Sequence, residues 1–344
     1  MEIARAELLK VLKPVSGFVA PKSGAVLTFK NLCFRDNLVY GYNGETGYVG
    51  RMPLGINCTV PADKLLAVID RMPEGAVQIS LHGGEMRIKF GDSRASSTAK
   101  LLTSTTESFP DFVPKDFVDI CYATNVLQCL RVCLDAIDLN ARNVFPGVAI
   151  RGEHVYSTDG LRYTRMKLNA AMVGEIAYIP AKSVKLLMRL GHPKKFIAWQ
   201  GFVGGLYEDP PGLWLTCQLS GRFPNKMIDE QIDRPVFQLI ELPEGLEESL
   251  GRIEVLSDAG QGAEMTSREG QLILSSAEKG AGGHQEVLPW PNAGAFKVRF
   301  NPRHFQDALK ISRKIDLGSV CCDDPRAMRF VGDGVEHVMA WVEE

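Results

Sequence analysis

Apolar positions recur along this chain in two rhythms, a helical spacing of three and four and a strand spacing of two, and together they trace a unit that appears about six times. Each unit is a short amphipathic helix with a polar or proline-containing start, followed by alternating segments that predict strands. The first helix is expected over Ala4 to Leu12, with Leu8, Leu9 and Leu12 on one face and Glu7, Lys10 and Lys13 elsewhere. The second follows Pro61, where Leu65, Leu66, Ile69 and Met72 keep helical spacing and Lys64 points away. Behind it, two alternating runs around His82-Gly83-Gly84-Glu85 predict a hairpin, with Val77, Ile79, Leu81, Met86, Ile88 and Phe90 facing one core. A third helix carries Leu127, Leu130, Leu134 and Ile137 opposite Gln128, Arg131 and Asp135. The fourth follows Pro180, with Val184, Leu187 and Met188 inward and Lys182, Lys185 and Arg189 on the other face. Pro243 opens the fifth, striped by Leu246, Leu250 and Ile253. Pro302 opens the sixth, striped by Phe305, Ala308 and Leu309 and backed by Arg303, Gln306, Lys310, Arg313 and Lys314.

Taken in pairs, the units predict three similar domains, 1–115, 116–233 and 234–344, joined at Pro114-Lys115-Asp116 and Asp233-Arg234-Pro235. A chain of 344 residues accommodates two to three domains of about 150 residues each. With 39 Lys+Arg against 41 Asp+Glu, 45% hydrophobic and 23% charged residues, it is globular rather than disordered, and it is not a nucleic-acid binder that is basic over its whole surface. A basic lining inside an acidic shell stays compatible with these numbers. The longest apolar runs are short, as at Leu65 to Ile69, so no membrane span is expected. Charges at Glu2, Arg5, Glu7 and Lys10 break any signal-peptide core, so no export is expected. The cysteines (Cys33, Cys58, Cys121, Cys129, Cys133, Cys217, Cys321, Cys322) form no Cys-x-x-Cys pair and read as free thiols of a reducing cytoplasm.

The fourth and sixth helices carry polar faces enriched in Lys and Arg. A cationic face binds phosphates without reading base sequence. On composition alone, ordinary solvated faces whose lysine stems cover apolar surface explain them more simply. Enzyme chemistry finds little support. No phosphate-cradling glycine loop ends in Lys-Ser or Lys-Thr, Gly201 to Gly205 lacks a dinucleotide spacing, and the six histidines form no metal motif, so neither a cofactor nor a metal is expected. Asp159 near His154 is explained as an Asp-Gly turn between strands.

The motifs Gly147-Val148-Ala149-Ile150 and Tyr156-Ser157-Thr158-Asp159-Gly160-Leu161-Arg162 resemble a signature of the bacterial DNA polymerase III β subunit, the sliding-clamp family. The run from Ile179 through Leu187, Gly221-Arg222-Phe223-Pro224, and Phe300-Asn301-Pro302-Arg303 with Asp307-Ala308-Leu309 are similar to further motifs of that family. Leu8-Leu9-Lys10, Val15-Ser16-Gly17, Val60-Pro61-Ala62 and Pro73-Glu74-Gly75-Ala76 match its opening, so the resemblance spans all three expected domains in order.

The resemblance implies an α+β fold of three similar clamp domains per chain, and a head-to-tail homodimer closing a six-domain ring with helices inside and sheets outside. Double-stranded DNA would pass through the hole and be held independently of sequence, without catalysis. It implies a phosphate-facing lining of Lys10, Lys13, Lys64, Arg131, Lys182, Lys185, Arg189, Lys310, Arg313 and Lys314, with Lys22 and Arg142 on adjacent loops. Ring closure would join the edge strand Ser97 to Thr103, with Ala99 and Leu101, to the end of the fifth helix at Val255 and Leu256. A groove for peptide tails of polymerase, clamp loader and repair proteins would comprise Phe145, Thr158, Gly160, Leu161, Arg162, Tyr163, Pro224, Ile228, Asp229, Val338, Ala340, Trp341 and Val342. Three departures stand out: Ala99 where a larger apolar residue is usual, Asp229 where an apolar one is usual, and an ending of Val342-Glu343-Glu344 in place of a methionine-rich tail. With the acidic fifth helix (Glu247, Glu248, Glu254), they keep open a second reading, a clamp-like decoy that captures partner tails or forms mixed rings.

Overall fold

The computed structural model describes residues 2–21, 23–24, 26–91, 96–113, 116–122, 124–136, 145–173, 176–199, 201–257, 262–278, 282–291, 293–321 and 327–342. It is a mixed α and β protein. Seven α-helices stand among the described residues: α1 (Arg5–Ser16), α2 (Ala62–Asp70), α3 (Val126–Asp135), α4 (Ala181–Leu190), α5 (Asn225–Ile232), α6 (Leu246–Val255) and α7 (Pro302–Ile311). The six helices expected from the apolar stripes are present, and most of the stripe residues are buried, as with Leu8, Leu9 and Leu12 on α1 and Phe305, Ala308 and Leu309 on α7, while Leu66, Leu127 and Met188 are only half-buried. Helix α7 starts by rule: Asn301 Oδ1 accepts the Arg303 N–H at 3.0 Å and Pro302 occupies the first turn. No helix among the described residues is long and apolar enough to cross a membrane.

Two expectations are corrected. The pattern missed α5, an eight-residue helix whose only buried apolar residues are Ile228 and Ile232, too few to stand out as a stripe. It also carried α7 too far. The helix ends at Ile311 and Ser312 is extended, so Arg313 and Lys314 lie off its face: Arg313 Nη2 donates to the Pro243 carbonyl at 2.8 Å, and Lys314 opens a strand. Ile137, Lys22, Arg142 and Cys322 lie outside the described residues.

The chain folds as two compact units, Met1–Thr124 with Met172–Leu219, and Asn125–Ala171 with Ser220–Glu344. In the first unit, a small antiparallel sheet runs in the order Glu2–Ala4, Ala76–His82, Glu85–Gly91, Ser96–Leu102. Its central hairpin turns at Gly83 and Gly84, both at positive φ, as a two-residue turn between antiparallel strands demands. The large sheet of this unit runs Cys58–Pro61, Asn31–Arg35, Leu38–Tyr42, Thr46–Arg51, Pro211–Cys217, Phe202–Glu208, Lys195–Trp199, Val118–Cys121. Its middle ladder pairs Thr46 with Thr216 through Gly50 with Gly212, so strands from either side of residue 115 share one hydrogen-bonded sheet. Helix α1 packs on one face so closely that a Cβ on Gly41 would sit 2.3 Å from the Val15 carbonyl oxygen. The opposite face is closed by Phe109 and Phe112, both buried.

The second unit repeats the plan. Its large sheet includes, in order, Gly147–Arg151, His154–Thr158, Arg162–Lys167, Val335–Ala340, Ala327–Gly332, Lys314–Asp316 and Leu239–Glu241, and its small sheet runs Gly282–Pro289, Gln271–Glu278, Ala263–Arg268, Phe296–Phe300. Helices α6 and α7 cover one side, where Phe305 meets Phe300 and Phe330 edge-on at 5.2 and 5.3 Å. Burying a side chain of that size contributes about 2–3 kcal/mol, and the Leu246, Leu250 and Ile253 stripe of α6 joins the same core.

Candidate functional site

In the second unit, strand His154–Thr158 reverses into Arg162–Lys167 through Asp159, Gly160 and Leu161. Asp159 Oδ1 accepts the N–H groups of Leu161 at 3.0 Å and Arg162 at 2.9 Å, and the Gly160 N–H donates to Thr158 Oγ1 at 2.9 Å. Gly160 stands at φ +91°, a conformation that glycine takes without strain. The Asp-Gly turn expected between strands is present, and Asp159 builds it rather than serving as an acid.

Arg162 fixes this turn from beneath. Its Nε and Nη2 donate to Asp159 Oδ2 at 2.8 and 2.7 Å, and Nη1 donates to Asp307 Oδ2 of α7 at 2.9 Å. The side chains of Arg162 and Asp159 are each 3% exposed, so this is a buried pair whose charges are satisfied by each other. Nearby, Thr164 Oγ1 lies 2.8 Å from Nδ1 of the fully buried His337. Burial first, and the charge of Arg162 second, push the His337 pKa down to about 3, so the ring is neutral at physiological pH. With this network below it, the turn presents Leu161 to solvent at 56% exposure.

Register aligns the face of the sheet away from α7 into rows. Thr158, Tyr163, Val338 and Arg329 are successive neighbours across the strands, and Tyr156, Arg165, Glu336 and Val331 form the next row. Helix α5 is bound to the second row. Asp229 accepts from Arg165 Nη1 at 3.0 Å and from the Tyr156 hydroxyl at 3.4 Å, and Asp233 accepts from Arg165 Nη1 at 2.7 Å. Glu336 bridges the two arginines, accepting from Arg165 Nη2 at 3.4 Å and Arg329 Nη2 at 3.2 Å. Burial and the Asp229 carboxylate push the Tyr156 hydroxyl pKa up, which keeps it a neutral donor. The first row is left partly open, with Tyr163 and Ala340 half-buried beside Leu161.

Of the thirteen residues that the resemblance gives to a peptide groove, Thr158, Tyr163 and Val338 are neighbours across the strands, Thr158 and Val338 being themselves buried. The Ala340 N–H donates to the Leu161 carbonyl at 2.8 Å next to Gly160, and Phe145 and Pro224 lie at the α5 side, where Phe223 meets Phe145 edge-on at 5.9 Å. Others act differently. Arg162 is buried under the turn, Ile228 is buried on the inner side of α5, and Trp341 packs against the core of its unit. The Val342 N–H donates to the Arg299 carbonyl at 3.0 Å, which anchors the strand end. Asp229, out of pattern as a groove residue, is explained by its bonds to Arg165 and Tyr156. Arg165 and Glu336 went unnoticed in the sequence, and Asp307 stood there only as a motif residue, although Arg165 and Glu336 are charges at alternating strand positions, a pattern that signals a face partnered by other charges.

Lys182, Lys185 and Arg189 of α4 are exposed on one face and have no ion-pair partner among the described residues; Lys64 of α2 and Arg131 of α3 are likewise exposed and unpaired there. Lys10 pairs with Asp209, Lys13 with Asp70 at 3.2 Å, and Lys310 with Asp307 at 2.8 Å. Helix α6 differs in charge, with Glu247 and Glu248 in its first turn and Glu254 bonded to Arg303 Nε at 2.6 Å. Ser96–Leu102 is the last strand of its small sheet, with Ala99 and Leu101 half-buried and Leu102 79% exposed. Val255 closes α6 at 75% exposure, followed by half-buried Leu256. The sequence pattern did not single out Gly282–Pro289, the outermost strand of the other small sheet, where Val287 is 51% exposed.

This arrangement of helices and antiparallel sheets is similar to a fold already seen in solved structures. Solved bacterial sliding clamps match it over the whole chain. The DNA polymerase III subunit beta of Pseudomonas aeruginosa superposes with a TM-score of 0.84 at 19% identity, covering 100% of this chain and 99% of that one. The pol III beta of Caulobacter crescentus gives 0.83 at 17% identity, with 100% and 99% covered. The Helicobacter pylori beta clamp, solved bound to a DNA ligase peptide, gives 0.79 at 14% identity, with 100% of both chains covered. No family model matches the chain, and no curated protein matches it.

Proposed function

We propose that the protein is a DNA sliding clamp, a processivity factor without a catalytic site of its own. In this reading the chain is three clamp domains (1–115, 116–233 and 234–344), and two copies close head to tail into a ring of six around duplex DNA. The exposed cations of α1, α2, α3, α4 and α7 touch phosphates, so DNA is held without regard to sequence. The open face around Leu161, Tyr163, Val338 and Ala340 takes short peptides of a polymerase, a clamp loader or repair proteins, in the soluble cytoplasm. The observation that carries this reading is the full-length likeness to solved clamps. A peptide of a DNA ligase bound to the Helicobacter pylori clamp supports the peptide assignment.

Edge strands Ser96–Leu102 of one copy and Gly282–Pro289 of the next are the surfaces we assign to ring closure, because both end a sheet with unpaired backbone groups. Light scattering across a concentration series tests it. The expected mass is twice the 37.9 kDa of one chain. A monomer at every concentration overturns the closed ring and leaves the decoy reading. As a second arm, reversing Lys182, Lys185 and Arg189 to Glu is expected to weaken DNA retention and to leave peptide binding intact.

A further inference from the structure

The row that carries Tyr163 and Val338 does not stop at Val338. One strand further across the sheet stands Arg329, and beyond it opens a cleft of about 700 Å3 within the second unit, lined among others by Val338, Arg329, Arg234, Pro235 and Phe237. Neighbouring strands lie about 4.8 Å apart, so Tyr163 to Arg329 is a span of about 10 Å, covered by about three extended residues. The cleft adjoins this row at Val338 and Arg329, which both line it.

Two features of the cleft indicate what it holds. Phe237 is 78% exposed, yet its backbone is fixed: its N–H donates to Asp316 Oδ1 at 3.0 Å, and the same oxygen accepts from Gln238 and Gly318 at 3.2 and 3.1 Å. Gly318 is required there, since a Cβ would sit 2.5 Å from Phe237 Cβ. An aromatic ring held out over a cleft by a buried carboxylate is pre-organised for contact with an apolar side chain. The charges point the same way. Asp316, the carboxylate of the lining, is occupied by three backbone N–H groups. Arg329 Nη1 donates to the Arg234 carbonyl at 2.6 Å, which pins that backbone, while the exposed Arg234 has no ion-pair partner among the described residues. The cleft therefore offers, beside an exposed ring, a guanidinium with no direct ion-pair partner among the described residues, with the Asp316 carboxylate turned to backbone N–H groups.

We propose that this cleft is an accessory subsite for the same peptide that occupies the open face, taking an acidic residue on Arg234 and an apolar residue on Phe237 and Pro235. The inference rests on the peptide-groove reading above. It makes Arg234 and Phe237 specificity determinants: partners whose peptides extend past Val338 with an acidic-apolar pair are preferred over shorter ones.

Synthetic pentapeptides rich in Leu and Phe are screened against the full chain by fluorescence anisotropy, and the best binder is remade with Gly-Asp-Phe or Gly-Lys-Phe added at either end. The Asp-containing extension, at one end, is expected to bind the unaltered protein about tenfold tighter, a gain absent from the Lys version and abolished by Phe237→Ala and by Arg234→Glu. The unextended peptide is expected to bind all three proteins alike. Both substitutions are on the surface, and an unchanged melting temperature verifies that they fold. No gain from either extension, or a gain that survives both substitutions, overturns the subsite while leaving the groove in place. If no pentapeptide binds, or if Leu161→Asp leaves binding unchanged, the groove reading fails and the subsite falls with it.

Discussion

The two large sheets are built alike, and only one has an open face. In the first unit the middle ladder, Thr46–Arg51 on Pro211–Cys217, is closed on the side away from α1 by Phe109 and Phe112. Phe112 stacks on Tyr42 at 4.8 Å and meets Tyr40 edge-on at 6.1 Å, and it comes so near the sheet that a Cβ on Gly47 would lie 2.5 Å from its Cε2. In the second unit the corresponding ladder, Arg162–Lys167 on Val335–Ala340, carries Tyr163, Arg165, Glu336 and Val338 on that side, and α5, which follows Pro211–Cys217 in the chain, is bound to it by ion pairs. The strands are equivalent, and the connecting segment decides. An aromatic plug makes one face core, while a helix tied down on one row leaves Tyr163 of the neighbouring row, and Ala340 next to it, only half-buried.

Unplugging the closed face is the harshest way to break this contrast. Phe112→Ala is expected to destabilise the protein by about 4 kcal/mol, the usual cost of emptying a buried phenylalanine site, and to leave peptide binding on the other unit unchanged. Urea unfolding and anisotropy check the two halves of that statement. On the open side, Arg162→Met removes the cation between Asp159 and Asp307 and is expected to cost about 3 kcal/mol, because it leaves a buried carboxylate without a partner. Unlike the first, it should also weaken peptide binding, since the turn presenting Leu161 is held by that guanidinium.

Much of the helical framework could be read from the sequence, though not this contrast. Six apolar stripes gave six helices, because residues such as Leu8, Leu12, Phe305 and Leu309 are buried by spacing alone. Asp159-Gly160 announced its own turn. Helix α5 stayed hidden because its hold on the sheet is Asp229 and Asp233 on Arg165, bonds between residues 64 or more apart that no local rhythm encodes. The same separation concealed Asp307, 145 residues from Arg162. The resemblance named residues that do share one sheet, but it gave no sign that Thr158, Arg162, Ile228 and Val338 are buried, since motif letters do not say which side of a strand or helix faces out. The end of α7 was overrun because Arg313 and Lys314 keep helical spacing with Lys310 while Ser312 has already turned extended.

A pH series sharpens the comparison, since the buried histidine lies under the open face. Its folded pKa, pushed down to about 3, is below the ordinary 6.5, so the unfolded chain binds the proton more readily between those values. Stability is therefore fully present above about pH 6.5 and is lost as pH falls, by about 2 kcal/mol from pH 7 to pH 5. His154, lowered chiefly by burial, adds to the slope with the same sign. The decisive comparison is with His337→Gln, in which the loss between pH 7 and pH 5 should shrink by most of that amount, as urea midpoints at the two pH values would reveal. An unchanged slope would mean that the ring is not held neutral in the folded protein.

The gentlest test touches only the surface. Leu161 is held out by backbone bonds to Asp159, and its side chain takes no part in the core, so Leu161→Asp should change stability by no more than about 0.5 kcal/mol. If the open face is a peptide receptor, the same substitution places a carboxylate where an apolar side chain must seat, and affinity should fall about tenfold, equivalent to about 1.4 kcal/mol. The first unit offers the matched control. Leu27, 74% exposed, lies on a unit whose corresponding face is plugged, and Leu27→Asp should leave peptide affinity unchanged. Equal losses from the two substitutions would mean that the peptide recognises exposed leucine in general, and the difference between the open and the closed face would then carry no function.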